Sequence, residues 1–312
     1  MNQTYSIVIP IHGTEGRLES LLNLLYSIHD GFIEHTIYPN EVLIINNGGV
    51  DITKQKEIIY RITEGKYRVS IIDEKEPGLN NARNIGLKNA TGDIVFFFDD
   101  DVIVHRESIK LILTHFLNKS VNLVGGKINL IFDRPTPEWL KSEFFLRFLA
   151  PQRFPDAFNK VSKPYFIFGG CMSVRRTVSI NKFDLGLDRN RKKLLSGGDT
   201  DIALSLENSS FIEPKAEFST VVRSDRLSIF FFIKRFYWQG MTDAILYYKH
   251  NKVHLYDHDE LFLTKAFLKT IYAYTNNREG FKLICLFSRF LGFWIKSAIL
   301  LINIQINEKH NQ

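Results

Sequence analysis

Three adjacent carboxylates give the clearest chemical signal in this sequence. Asp99, Asp100 and Asp101 follow the apolar run DIVFFF, which is typical of a buried strand. Adjacent carboxylates repel one another, so the triplet needs a compensating positive charge. A divalent ion such as Mg²⁺ or Mn²⁺ would supply it, because these ions bind through one or two carboxylates together with substrate phosphates. The alternative is a solvated acidic turn that caps the next helix.

A second acidic pair lies in the run Gly198-Asp199-Thr200-Asp201, at the start of a predicted helix over 198–207. A carboxylate near a hydroxyl group can take its proton as a general base. The alternative for Asp199 and Asp201 is an N-cap and first-turn pair that stabilises the helix.

The elements that must position these residues alternate along the chain. Apolar runs predict strands at 5–11, 41–45, 68–72 and 93–98, and helical spacing predicts helices at 16–28, 52–63, 79–90 and 106–118. This alternation predicts an α/β fold with a parallel, doubly wound sheet, in which ligands bind at the carboxyl ends of the strands. Further strands are predicted at 121–130 and 165–174. Neither a GxGxxG nor a GxxxxGK[ST] motif occurs, which disfavours dinucleotide dehydrogenases and P-loop enzymes.

The net charge of +6 on 312 residues is unevenly placed. Residues 1–225 hold 28 basic and 28 acidic residues, whereas residues 226–312 hold 12 basic and 6 acidic ones. A neutral body disfavours a nucleic-acid groove. Cys171 and Cys285 show no metal-site or disulfide spacing, so both are predicted to be buried apolar residues. The N-terminus lacks the pattern of a signal peptide, and we expect a cytoplasmic protein.

The segment from 281 to 306 is apolar but carries Lys282, Arg289 and Lys296 at intervals of seven residues. This spacing predicts a basic stripe along one side of a helix. Such a helix either lies in a membrane interface or packs on the body of the protein with the stripe in water. The charge excess of this region slightly favours membrane contact.

Five segments in order resemble the motifs of family 2 glycosyltransferases of the bacterial surface-polysaccharide type: SIVIPIHG, VLIINNGG, PGLNNARNIGLKNATGDIVFFFDDDV, FGGCMSVRR and SGGDTDIALSL. The resemblance covers residues 5–240. It implies the GT-A fold with a mostly parallel sheet over 1–225, made of a nucleotide-sugar half (1–118) and an acceptor half (119–225). Residues 226–312 would form a basic, aromatic helical extension.

The resemblance also implies roles for individual residues. The catalytic base would be Asp199, in preference to Asp201. The metal, Mn²⁺ or Mg²⁺, would be held by Asp99 and Asp101. The residues implied to bind the nucleotide-sugar donor are Pro10, His12, Asn46, Arg83, Asp99 and Asp100.

Four positions depart from the family pattern. His12 stands where a tyrosine is common, and Asn46 replaces an aspartate that accepts a hydrogen bond from the base, often uracil. Gly198 replaces a glutamate, and Thr220 stands six residues before Arg226, where many members have a histidine near the metal. The departures at Asn46, Gly198 and Thr220 motivate an alternative function, a catalytically weak relative that binds sugar nucleotides or serves as a scaffold.

The leading hypothesis is an inverting, metal-dependent glycosyltransferase of cell-surface polysaccharide synthesis. The expected donor is a UDP-sugar, and the expected acceptor is a saccharide or a lipid-linked saccharide. Peripheral contact with the inner face of the cell membrane would suit a lipid-linked acceptor. Nucleic acid is not an expected partner.

Overall fold

The computed structural model describes residues 3–12, 16–35, 37–49, 51–63, 65–150, 154–160, 167–177, 182–189, 193–250 and 280–310. The chain forms two compact units, one made of residues 1–186 and 198–223 and the other of residues 187–197 and 224–312. The segment 187–197 therefore groups with the C-terminal region, although it lies within the body of the sequence.

Strands and helices alternate over the first 120 residues of the first unit, as the apolar pattern predicted. The order is β1 Tyr5–Ile11, α1 Gly16–His35, β2 Glu41–Asn46, α2 Gln55–Thr63, β3 Arg68–Asp73, α3 Leu79–Asn89, β4 Ile94–Phe98, β5 Val102–Val104 and α4 Ser108–His115. The unit continues with β6 Leu123–Phe132, α5 Glu143–Leu146, β7 Asn159–Lys160, β8 Cys171–Arg175, α6 Gly198–Ser205 and β9 Ser210–Val222.

The described strands join in one sheet in the order β3-β2-β1-β4-β8-β6-β9-β5, and β7 pairs with β9. The four strands β3, β2, β1 and β4 are parallel, as predicted. Beyond β4 the sheet is mixed: β8 is antiparallel to both β4 and β6, whereas β6 and β9 are parallel. The α/β fold class is thus as expected, but parallel pairing is confined to the strands of residues 1–118 and to the pair β6 and β9.

Both faces of the parallel strands are buried, which explains their continuous apolar runs. Every residue of β1, β2 and β4 is buried. Ile7 of β1 packs into the core on the face covered by α1, and the neighbouring Val8 packs into a second core on the face covered by α3. This double coverage fixes the strand register, and therefore which residues emerge at the strand ends.

The long strand β9 and the short strand β5 are not predicted from the sequence. β9 contains Pro214 and three charged residues, which break the apolar alternation that marks a strand. Its pairing with β6 also shifts register: Gly126 is opposite Glu213, and the next residue, Lys127, is opposite Glu217. Residues 214–216 therefore form an irregularity, and a regular alternation of apolar and polar residues is lost from the sequence of β9, although most of its residues are buried.

The described helices of the second unit are α7, Ile229–Lys249, and α8, Gly280–His310. Ser228 caps α7 by accepting a hydrogen bond from the backbone N–H of Phe231 at 3.1 Å. The two helices approach closely at glycines: a Cβ on Gly240 would lie 1.9 Å from the carbonyl oxygen of Arg289. A side chain at this position would force the helices apart.

The predicted basic stripe of α8 is wrong for Arg289. This side chain is 3% exposed, and its Nε and Nη2 each lie 2.6 Å from Oδ2 of Asp243 on α7. Asp243 is buried and also accepts a hydrogen bond from Gln239 at 2.9 Å. A buried carboxylate is costly without a partner of opposite charge. Arg289, the middle one of the three cations, is therefore buried between the helices, where it pairs with Asp243. Lys282 and Lys296 are half-exposed.

Candidate active site

The carboxyl ends of the parallel strands lie side by side in the first unit. Ile11 of β1 is in register with Asn46 of β2, and Asn46 is in register with Asp73 of β3. Pro10 is buried within β1, opposite Ile45, and contributes backbone rather than a side-chain polar group. His12 follows β1, and its Nδ1 hydrogen-bonds the carbonyl of Asn47. The polar residues predicted for the nucleotide therefore emerge at one edge of the sheet.

Asn46 is bound to an acid on the neighbouring strand. Its Nδ2 donates to Oδ1 of Asp73 at 2.7 Å. Asn46 itself is buried, whereas Asp73 is exposed. The carboxylate that the family pattern places on β2 is thus replaced by one on β3, a single strand away. Asp73 was not singled out from the sequence, because only the pairing of β2 with β3 brings it beside Asn46.

The next residue, Asn47, connects this edge to the helix that carries Arg83. Its Oδ1 accepts a hydrogen bond from the backbone N–H of Gly78 at 2.7 Å, and its Nδ2 donates to the carbonyl of Glu76 at 2.6 Å. Gly78 immediately precedes α3. These bonds fix the start of α3 relative to the end of β2. They give the second asparagine of the segment VLIINNGG a structural role.

Arg83 points from α3 to the acidic triplet. Its side chain is 4% exposed, and Nη2 lies 2.8 Å from Oδ1 of Asp99. The ring of Phe183 packs under the guanidinium at 5.5 Å. Because Arg83 is buried, the pair is not a surface ion pair on a helix, and the exposed side of Asp99 remains accessible.

The consecutive glycines before β8 allow this arrangement. A Cβ on Gly169 would lie 2.6 Å from Nη1 of Arg83, and one on Gly170 would lie 3.0 Å from Oδ2 of Asp99. The backbone N–H of Gly169 donates to Oδ2 of Asp199 at 2.8 Å. The FGG motif therefore brings Arg83, Asp99 and Asp199 together around one stretch of backbone.

Asp199 lies in the first turn of α6, and both of its carboxylate oxygens are oriented by backbone donors. Oδ2 binds the N–H of Gly169, and Oδ1 binds the N–H of Thr200 at 2.8 Å. Asp199 is half-buried, whereas Asp201, the other candidate for the base, is 2% exposed. The half-buried carboxylate is the one of the two that another molecule can reach.

The departure at Gly198 has a steric reason. A Cβ at this position would lie 2.5 Å from Oδ1 of Asn80. Asn80 is buried, and its Nδ2 donates to the carbonyl of Asp184 at 2.8 Å. Asn80 thus fills the space that a side chain at position 198 would need. The glycine at this position therefore leaves no gap beside Asp199.

Asp100 and Asp101 share one cation. Nη1 of Arg17, on α1, lies 2.5 Å from Oδ1 of Asp100 and 3.1 Å from Oδ2 of Asp101. Burial raises the pKa of Asp100 to about 7, although Arg17 opposes that rise. Burial tends to lower the pKa of Arg17, but the charges of the acidic triplet raise it above its ordinary value. The compensating charge that the triplet requires is met here by Arg17 and Arg83.

Thr220 also reaches the triplet. It lies on β9, opposite Val102 of β5, and its hydroxyl donates to Oδ1 of Asp101 at 3.4 Å. The position at which many family members have a histidine near the metal is therefore adjacent to Asp101 in this fold. A threonine there contributes a neutral hydroxyl group instead of an imidazole.

The carboxylates of the triplet fit a divalent ion only together with further ligands. Among the described residues, no cluster of three or more His, Cys, Asp or Glu side chains is placed to hold one. Asp99 and Asp101 nevertheless offer hard carboxylate oxygens at one strand end, beside two arginines. Magnesium and manganese suit such a site when substrate phosphates complete the coordination, so the residues fit an ion that binds together with a diphosphate.

The remaining buried nucleophile near the site is Cys171. It is 1% exposed, and its thiol contacts the carbonyl of Gly126 at 3.6 Å. Burial raises the pKa of this thiol to about 12. The thiol is therefore protonated and unreactive, which fits the buried apolar role predicted for it; Cys285 is buried as well.

Arg17 and Asp73 are the polar residues at the site that sequence reasoning missed. Arg17 is 83 residues from Asp100 in the chain, and Asp73 is 27 residues from Asn46. The repulsion within the triplet did signal that a cation was needed, but no local pattern identified which residue supplies it.

Solved structures of two glycosyltransferases share this fold. TarS from Staphylococcus aureus, solved as residues 1–349 with UDP, superposes with a TM-score of 0.52 over 96% of this chain and 92% of that one, at 16% identity. Mannosyltransferase PcManGT from Pyrobaculum calidifontis, solved with GDP-Man and Mn²⁺, gives a TM-score of 0.57 over 98% and 81%, at 14% identity. These similarities confirm the predicted GT-A fold.

The sequence profile of glycosyl transferase family 2 matches residues 6–182, which is more than half of the chain. The protein belongs to this family, as the motifs predicted. Glycosyltransferase GlyA of Streptococcus pneumoniae is 25% identical over 121 residues, which are 39% of this chain and 16% of GlyA. The chain thus matches only a small part of that relative's length.

Proposed function

We propose that this protein is an inverting glycosyltransferase that transfers a sugar from a nucleoside diphosphate to an acceptor hydroxyl group. The observation that carries the proposal is the convergence of Arg83, Asp99 and Asp199 around Gly169 and Gly170. An anion-binding arginine and a general base next to one another are what a single displacement at the anomeric carbon needs.

The chemistry follows from the positions of these side chains. The carboxylate of Asp199 takes the proton of the acceptor hydroxyl group while that oxygen forms a bond to the anomeric carbon. The bond from the anomeric carbon to the diphosphate breaks, and the diphosphate leaves with the electron pair. Arg83 stabilises the charge that develops on it. When bound, Mn²⁺ or Mg²⁺ at Asp99 and Asp101 supplies further positive charge to the leaving diphosphate.

The proposed donor is a UDP-sugar that lies across the nucleotide-sugar half, residues 1–118. TarS was solved with UDP and PcManGT with GDP-Man, so both bases occur among structures that share this fold. The pair Asn46 and Asp73 combines amide and carboxylate groups at the strand ends. A carboxylate accepts hydrogen bonds from base N–H groups, and uracil offers one such donor on its pairing edge.

The experiment compares Asp199→Asn and Asp201→Asn with the wild type on a panel of nucleotide sugars with Mn²⁺. Donor hydrolysis or transfer should fall at least about a hundredfold in Asp199→Asn, because the general base is lost, while UDP binding stays within a factor of two or so. Asp201→Asn should retain turnover if it folds. Turnover that survives Asp199→Asn would contradict the assignment of the base. A folded protein that binds no donor would contradict the proposed function.

We also propose that the acceptor, in the half formed by residues 119–225, is a saccharide or a lipid-linked saccharide of surface-polysaccharide synthesis.

Among the described helices, α8 is the one long and apolar enough to cross a membrane, over Gly280–Asn303. The side that packs on α7 carries Arg289. The exposed apolar face consists of Ile284, Phe287, Leu291, Trp294, Ile295, Ile299, Leu301 and Ile302.

This apolar face favours peripheral contact with the cytoplasmic side of the membrane, because only one side of the helix is presented. Flotation with phosphatidylglycerol vesicles tests the contact. A double variant, Phe287→Gln with Trp294→Gln, should float less than the wild type. Tyr60→Gln is the matched control, since Tyr60 is 72% exposed but lies on α2 of the first unit. Equal flotation of all three proteins would contradict membrane contact through α8.

A further inference from the structure

Arg17 forms ion pairs with Asp100 and with Asp101, a carboxylate of the proposed metal site. It is the second residue of α1, and one of its nitrogens, Nη1, bridges Oδ1 of Asp100 and Oδ2 of Asp101. The side chain of Arg17 is 21% exposed, and those of Asp100 and Asp101 are 7% and 9% exposed. The contact is therefore largely shielded from water, where an ion pair is stronger than on a surface.

A divalent ion at Asp101 would compete with this guanidinium. Both are cations, and both would draw on the charge of the same carboxylate, so an ion held by Asp101 would weaken the contact that Arg17 makes there. Binding of the ion therefore costs free energy of the existing contact. A half-buried guanidinium also needs a new anion once this contact is weakened.

The donor would bring that anion to the site. A nucleoside diphosphate carries its charge on phosphate oxygens, and the planar guanidinium of arginine matches phosphate geometry better than the point charge of lysine does. The diphosphate is thus the partner that can accept Arg17 when the ion takes Asp101. On the other side of the triplet, the structure pairs Arg83 with Asp99.

We propose that Arg17 acts as an internal cation that holds Asp100 and Asp101 until the donor arrives. The proposal rests on the proposed function, since it assumes a metal site that includes Asp101. Arg17 makes metal binding unfavourable in the absence of nucleotide and favourable in its presence. Metal and nucleotide therefore bind cooperatively, and by linkage each strengthens the binding of the other by the same factor.

The experiment measures Mn²⁺ binding from the electron paramagnetic resonance of the free ion, with and without saturating UDP. Arg17→Met removes the charge and keeps much of the side-chain volume. Without UDP, Arg17→Met should bind Mn²⁺ roughly tenfold more tightly than the wild type, a typical size for a coupling of this kind. With UDP, this advantage should disappear. Arg17→Lys, which retains a cation, should remain close to the wild type.

Two further variants control the measurement. Arg61→Met removes an exposed arginine from α2 and should leave Mn²⁺ binding unchanged. Asp101→Asn in the Arg17→Met background should abolish the gain, because the ion is proposed to use Asp101. Thermal unfolding checks that each variant is folded, and Arg17→Gln replaces Arg17→Met if the latter does not fold.

The outcomes separate this proposal from the proposed function. Equal Mn²⁺ affinity of the wild type and Arg17→Met without UDP would overturn the role of Arg17, even if the wild type binds Mn²⁺ with UDP. The same holds if Arg17→Lys gains as much affinity as Arg17→Met. Absence of Mn²⁺ binding in the wild type with UDP would overturn the metal site, and with it the competition.

Discussion

Gly169→Ala should weaken donor binding without preventing folding. The added Cβ would lie 2.6 Å from Nη1, 2.7 Å from Nη2 and 2.9 Å from Cζ of Arg83. All three atoms belong to the end of a flexible side chain, so the guanidinium can move while the backbone stays in place. The N–H of residue 169 is retained, and with it the hydrogen bond to Asp199.

The size of the effect follows from the contact that is lost. Arg83 and Asp99 form a charge-assisted hydrogen bond of 2.8 Å, and a bond of this class contributes about 1.5–3 kcal/mol. If the displaced guanidinium loses the same free energy of interaction with the diphosphate, UDP affinity should fall by roughly ten- to a hundredfold, since about 1.4 kcal/mol corresponds to a factor of ten. The free energy of unfolding should fall by no more than about 3 kcal/mol.

Isothermal titration with UDP in the presence of Mn²⁺ measures the loss. Gly125→Ala is a matched control, because a Cβ on Gly125 meets its nearest neighbour, Ile167, at an ordinary contact distance of 3.4 Å. A double-mutant cycle with Arg83→Met makes the test specific: Gly169→Ala should have no further effect once the guanidinium is absent. A loss of equal size in the Arg83→Met background would refute the reasoning, since the clash would then lie elsewhere.

Two predictions concern buried acids. Burial tends to raise the pKa of Glu41, but hydrogen bonds from Ser6 and Thr91 lower it below its ordinary value. The ionised Glu41 therefore stabilises the fold at pH values above the pKa of an unfolded glutamate. This stabilisation is lost as the pH falls through the lower pKa of the folded state. Glu41→Gln should therefore lower the free energy of unfolding by about 1 kcal/mol at pH 7 and by less in acid, as urea titrations at several pH values will show. Arg289→Met should cost about 3–5 kcal/mol in urea denaturation because Asp243 loses its buried partner, and a loss below about 1 kcal/mol would mean that the pair behaves like an exposed one.

The fold of residues 1–118 could be predicted from the sequence because the signals that specify it are local. The strands β1, β2 and β4 are short apolar runs that end at polar turns, and each alternates with a helix of regular periodicity. The motifs that follow those strands carry the resemblance to the family. Positions at strand ends, such as Asn46 and Asp99, therefore fall where the sequence predicts.

The partners of those residues could not be predicted, because they come from distant parts of the chain. Arg17 reaches Asp100 across 83 residues, and Arg289 reaches Asp243 across 46 residues. In both cases the sequence showed that a charge was present but not whether it would face water or another charge. The heptad spacing of the α8 cations predicts a stripe on the surface. In the structure, the ion pair between Arg289 and the buried Asp243 orients the helix instead.

The segment Leu187–Gly197 has a practical consequence for work with this protein. Its last two residues contact α7: the backbone N–H of Ser196 donates to the Thr242 hydroxyl at 3.2 Å, and a Cβ on Gly197, whose φ is +95°, would lie 2.8 Å from the same residue. The next residues in the chain begin α6, which carries Asp199. A discontinuous unit of this kind cannot be removed with a single cut. A shortened protein that ends before α7 would keep the five segments quoted for the resemblance yet lose the α7 contacts of Ser196 and Gly197, which directly precede α6.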